Sequence, residues 1–148
     1  MAIAVAPDGQ LGLCGLLSLA LYPYTGFPYE SIAMSALETF EKLLAQGKDS
    51  AMLRFSLGNE CHKAGRLEDA IAHLRAALGF DARYSAAWKL LGKFLAEAGQ
   101  AREALDTYRQ GIAAAQEKGD IQAVKEMQVF ARRLEKQLTQ PDDTPGVG

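Results

Sequence analysis

The sequence predicts an all-α fold, a solenoid of helical hairpins closed by a C-terminal capping helix. Three observations predict it. A 34-residue segment recurs in register, and each copy carries two apolar stripes at helical spacing. From residue 38 onward the chain holds 16 acids and 16 bases, the balance of solvated helix faces. A length of 148 residues suits one domain, and a formal net charge of −2 gives no electrostatic pull towards nucleic acid.

The first segment, residues 1–33, stands apart. Before Glu38 its only charges are Asp8 and Glu30, and every Lys and Arg lies at or after Lys42. The apolar run Leu11–Leu21 would span about 16 Å as a helix, half a bilayer core, so it does not read as a membrane span. An export signal fits poorly, because no base precedes the run and the bulky Tyr22-Pro23-Tyr24 follows it. Two readings of this head stand. It is a short helix docked on the body and ended by Pro23 and Pro28, or it is an extension upstream of a natural start at Met34.

The body is a repeat. With Ala51–Tyr84 laid over Ser85–Lys118, Leu57-Gly58 falls on Leu91-Gly92, Gly65 on Gly99, Ala70 on Ala104, Leu74 on Tyr108 and Leu78 on Ile112. In the second unit Trp88, Leu91 and Leu95 make the stripe of a first helix. Gly99 ends that helix, where a left-handed residue is commonly required, and Ala104, Tyr108 and Ile112 make the stripe of a second. The small pairs Gly58/Ala70 and Gly92/Ala104 allow the two helices of each hairpin to approach closely.

At these residues the sequence resembles the tetratricopeptide repeat (TPR) family, and most of all its short bacterial members. The second unit supplies Trp88, Leu91-Gly92, Leu95, Gly99, Ala104 and Tyr108. It departs at Gly111-Ile112 and at Gln116, where a proline is usual. The first supplies Leu57-Gly58, Cys61, Gly65, Ala70, Leu74 and Ala77-Leu78, and departs at Arg54 and Ala82.

The flanks extend the array. Ala36, Phe40, Leu43 and Leu44 match the second-helix pattern one period upstream. Lys118-Gly119-Asp120 reads as a turn with Asp120 as N-cap. Ile121, Val124, Met127, Ala131, Leu134 and Leu138 then share one face of a last helix, whose polar back suits the end of a solenoid. The expected organisation is therefore a head at 1–33, a half repeat at 34–50, repeats at 51–84 and 85–118, a capping helix at 120–138 and a disordered tail at 139–148. So short an array is expected to stand alone as a monomer or to self-associate weakly through its open N-terminal end.

Catalytic and metal chemistry is not expected. The chain holds no phosphate loop, no GxSxG and no HExxH, and two cysteines cannot form a disulfide framework or a four-ligand zinc site. Cys61 and His62 point about 100° apart on a helix, and Cys61 takes a core position, so the pair is no dyad. Cys14 has no partner to be named. Glu68-Asp69 reads as a solvated pair near a helix N-terminus. No enzyme, no cofactor and no metal is expected.

What the TPR resemblance implies is a partner surface. In that family the second, fifth, ninth, twelfth and thirteenth residues of each unit line a concave groove that accepts a peptide or helix. Here those positions are Met52, Phe55, Asn59, His62 and Lys63, then Ala86, Lys89, Lys93, Ala96 and Glu97. Lys125, Val129 and Arg132 continue the strip on the last helix. Five bases against the single acid Glu97 imply a basic groove for an acidic or C-terminal segment, with an apolar anchor near Phe55. Asn59 and Lys89 match the carboxylate clamp of the chaperone-binding branch, but Phe55 and Lys93 do not, so no chaperone partner is implied. The expected function is a cytoplasmic protein–protein adaptor; the alternative is a membrane-associated assembly or tethering factor using the apolar head. Nucleic acid is not an expected partner, since Phe55 is the one aromatic of the groove.

Overall fold

Helix follows helix from residue 36 to residue 139 of the computed structural model, which describes residues 36–140. The head 1–33, Cys14 and the tail from residue 141 lie outside the described residues. The helices are α1 (36–45), α2 (Ala51–Lys63), α3 (Leu67–Phe80), α4 (Ser85–Glu97), α5 (Ala101–Lys118) and α6 (Ile121–Thr139). Each of α2 to α5 packs on the next in sequence, α5 packs on α6, and α4 also meets α6. The result is two layers, first helices α2, α4 and α6 beside second helices α3 and α5, as in a helical-repeat solenoid.

One register runs through the first helices. Their third residues Leu53, Ala87 and Ala123 are buried, as are their seventh residues Leu57, Leu91 and Met127, and their eleventh residues Cys61, Leu95 and Ala131. Steps of four keep these side chains in one stripe, and complete burial of a leucine such as Leu57 contributes about 1.5–3 kcal/mol. The second helices match as closely: Ala70, Ile71, Leu74 and Ala77 of α3 correspond to Ala104, Leu105, Tyr108 and Gly111 of α5, all buried. Leu78 and Ile112, expected in that stripe, are only half-buried, and the residue before each takes the core position.

Turn chemistry separates the helices. Gly99 and Gly119 adopt φ of 80° and 82°, and the Gly119 amide donates back to the Gln116 carbonyl to close α5. The Asp120 carboxylate then accepts from the Ala123 N–H, capping α6. Ser85 Oγ donates to the other Asp120 oxygen at 2.6 Å and holds that carboxyl below its usual range, so the cap is tied to the start of α4.

Close approach explains two glycines. A β-carbon at Gly92 would lie 2.6 Å from Tyr108 Cε1, and one at Gly111 would lie 2.6 Å from Trp88 Cβ and 2.7 Å from Met127 Sδ. The departure from the family pattern at Gly111 is thus the space that lets α4 and α6 close on α5. Two residues expected on the inner face of α6 are exposed, Ile121 at 58% and Leu138 at 39%. They sit at its two ends, and Ala123 joins the buried face instead.

A candidate partner surface on the first helices

The buried stripe fixes what the opposite side of each first helix presents. On α2, Met52 is 72% exposed, Phe55, Asn59 and His62 are half-buried, and Lys63 is exposed. Ala86, Lys89 and Ala96 of α4 are half-buried, with Lys93 and Glu97 exposed. Lys125, Val129 and Arg132 of α6 are all exposed. Every sequence-predicted position therefore lies off the core, on the layer of first helices. Phe55 is less free than an anchor site implies, because its ring packs against Tyr84 with centroids 5.1 Å apart.

The charge of this strip needs correction. Glu97 is not its single acid. Lys89 is bonded to Glu126 of α6, and that contact holds the Glu126 carboxyl below its usual range. Lys63 Nζ donates to Glu60 at 2.7 Å, and Lys93 sits 4.0 Å from Glu97. Glu126 escaped sequence reasoning because a contact across 37 residues has no local signal. Among the described residues Lys125 and Arg132 have no carboxylate partner; Arg132 Nε reaches only the Gln128 carbonyl, at 3.4 Å. The strip stays net positive, with its unpaired cations gathered on α6.

The two junctions between first helices are built differently. At the α2–α4 junction the His62 imidazole stacks on Phe94, centroids 4.1 Å apart and planes 13° apart, and its Nε2 lies 2.7 Å from Glu97 Oε1. Phe94 is left 1% exposed. Phe94 and Phe130 are each the tenth residue of their helices, so Phe130 repeats that ring at the α4–α6 junction. There, however, the twelfth residue of the preceding helix is Ala96 where α2 has His62, and Phe130 is 37% exposed. Its ring stacks on Tyr108 at 5.6 Å, with the Arg133 guanidinium 5.8 Å from its centroid. Tyr108 itself is 2% exposed; burial and the nearby Glu97 charge push its phenol up to about 12. Extending the thirteenth-residue rule to α6 picks out Arg133, but nothing in the local pattern picks out Phe130.

Arg54, standing where the family has tryptophan, makes a polar substitute. It donates to both Asp49 oxygens at 2.7 and 2.5 Å, and its Nη1 lies 3.2 Å from His73 Nδ1. Burial and the Arg54 charge hold His73 below the usual imidazole range, while Arg54 holds Asp49 below the carboxylate range. Cys61 is buried, and that burial raises its thiol, as a core position requires. His62 and His73 are committed to different partners, and among the described residues no three metal-ligating side chains converge. No described helix is long and apolar enough to cross a membrane.

Stacked hairpins in one register, with an exposed stripe across successive first helices, define a helical-repeat interaction protein. The chain belongs to the tetratricopeptide repeat family, whose profile matches residues 62–127. A TPR repeat-containing protein of Pseudomonas aeruginosa is 47% identical over 103 residues, which is 70% of this chain and 98% of that one. A Bordetella parapertussis protein solved in solution is 48% identical with a TM-score of 0.61, covering 68% of this chain and 88% of its own. The type III secretion translocator chaperone SycD of Yersinia enterocolitica has a TM-score of 0.67 over 93% of this chain and 90% of its own; at 15% identity the likeness is of fold alone. TPR proteins are protein–protein interaction modules that bind proteins or peptides and are generally non-catalytic.

Proposed function

We propose that this chain is a non-catalytic cytoplasmic adaptor that holds an acidic peptide or helix of a partner protein in a groove lined by α2, α4 and α6. One observation carries the reading. The residues off the core on all three first helices share one register, and the unpaired cations among them, Lys125 and Arg132, both lie on α6. Turning an unpaired cation towards a ligand breaks no existing ion pair, whereas Lys89 must first leave Glu126. Acid at the partner's corresponding end gains most, and steering by the strip raises the rate of encounter.

The test is capture from a lysate of the source organism with the full chain, beside the Lys125→Glu/Arg132→Glu variant. Both side chains are exposed and break no ion pair, so the variant keeps its fold. The reading predicts captured proteins that are lost with the charge reversal. Capture that is identical with both baits contradicts it and moves the interaction to another face.

A further inference from the structure

The α4–α6 junction repeats the α2–α4 junction with its covering ring removed and its charge inverted. Where His62 lies on Phe94, the register puts Ala96 beside Phe130, and a methyl cannot cover a phenyl ring. Glu97 holds the His62 ring by accepting from it, and Glu97 is the thirteenth residue of α4. The thirteenth residue of α6 is Arg133, which has no carboxylate partner among the described residues. At 5.8 Å from the Phe130 centroid its guanidinium lies over the ring as a cation–π contact, on an exposed side chain that an incoming ring displaces.

A third group points to a ligand here. Tyr108 is 2% exposed, its ring stacks on Phe130 and its Cζ lies against Gly92, yet its hydroxyl has no hydrogen-bond partner among the described residues. A buried phenol without a partner leaves a donor unsatisfied, and the carbonyl of an incoming chain supplies one.

We propose that the α4–α6 junction is a subsite for an aromatic side chain with an acidic residue beside it, supplied by a partner polypeptide. The ring lies on Phe130 over Ala96, as His62 lies on Phe94, and the carboxylate pairs with Arg133 where Glu97 pairs with His62. This rests on the reading of the first-helix layer as a partner surface, and deepens it by naming what one position of that surface selects.

The probes are blocked dipeptide amides, N-acetyl-Phe-Asp, N-acetyl-Phe-Asn, N-acetyl-Ala-Asp and, for one variant, N-acetyl-Phe-Lys, titrated into the 15N-labelled full chain and followed by amide chemical shifts. The Phe-Asp probe is expected to move the amides of Ala96, Phe130 and Arg133, and to bind about two- to fivefold more tightly than Phe-Asn. Removal of the ring in Ala-Asp costs about two- to tenfold. Ala96→His installs the missing cover and is expected to abolish the shifts. Arg133→Glu changes an exposed side chain without disturbing the fold, and is expected to reverse the preference towards N-acetyl-Phe-Lys amide, which keeps the proposal testable if Ala96→His does not fold. Shifts confined to α2 and the Phe55 end would overturn the subsite while leaving the partner surface standing. Absence of shifts at millimolar probe overturns the subsite, and the lysate capture then decides the wider reading separately. Movement of the same amides with protein concentration alone gives the junction to a second copy of the chain and also overturns the proposal.

Discussion

The junctions α2–α4 and α4–α6 share one register, one pair of phenylalanines and one spacing, and differ in what lies on the ring. His62 and Glu97 seal the first, leaving Phe94 1% exposed; at the second Ala96 offers no ring, and Phe130, stacked on Tyr108 and under Arg133, is 37% exposed. The same fold position is core at one junction and surface at the next. A repeat therefore does not repeat function: the same register position carries a structural contact in α4, which packs on α3, α5 and α6, and a partly exposed ring in α6, which among the described helices packs on α4 and α5 and meets Ala96 where Phe94 meets His62.

Truncation is the strongest way to break this comparison. Phe94→Ala empties a fully packed site and is expected to cost about 3–5 kcal/mol, whereas Phe130→Ala gives up a ring already partly in solvent and is expected to cost about 1–2 kcal/mol. Urea unfolding of both variants checks the ratio, and equal losses would show that the second junction is as closed as the first.

Gly111 sharpens the account of how α6 closes. Helix propensity alone predicts that Gly111→Ala stabilises α5 by about 1 kcal/mol. The contact of its new β-carbon with Trp88 Cβ and Met127 Sδ predicts the opposite sign, a net loss of about 1 kcal/mol, readable as a lowered urea midpoint.

Smaller effects come from the cover itself. His62→Ala removes the stacked ring and is expected to cost about 1 kcal/mol, while Ala96→His, on a half-buried site, is expected to shift stability by under about 0.5 kcal/mol. Melting temperatures of the two variants, measured side by side, test whether the cover matters more where it is native.

The smallest effect is pH dependence. His73 is held neutral by burial first and by the Arg54 charge second, with Arg66 opposing protonation and Asp69 and Glu41 favouring it. Its folded value lies below the ordinary one, so as pH falls the unfolded chain takes up the proton first. Stability is then fully present above the usual imidazole range and is lost as pH drops through it. The melting-temperature advantage of the native chain over His73→Gln is expected to shrink between pH 8 and pH 5; an advantage that grows on acidification would contradict the buried, Arg54-facing geometry.

Much of the fold was legible in the sequence, because a solenoid is held by contacts that recur at a fixed offset. Leu57-Gly58 over Leu91-Gly92 and Leu74 over Tyr108 encode a hairpin directly, and Gly99 and Asp120 mark helix ends through local chemistry. Less legible were contacts between side chains on different helices. Lys89 with Glu126, His62 with Phe94 and Arg54 with His73 join residues with no common period, so the strip looked more basic than it is. The glycine at 111 looked like a defect for the same reason, since its cause is the side chains of Trp88 and Met127 on two other helices.

Site-directed photo-crosslinking tests the central claim most directly, that partners dock on the first-helix layer. A photoreactive benzoylphenylalanine at the exposed Val129 of α6 is compared with the same group at the exposed Ala113 of α5, in cells of the source organism. The account predicts a protein adduct from position 129 and none from position 113. Adducts from position 113 alone, or equally from both, would contradict it and place recognition away from α2, α4 and α6.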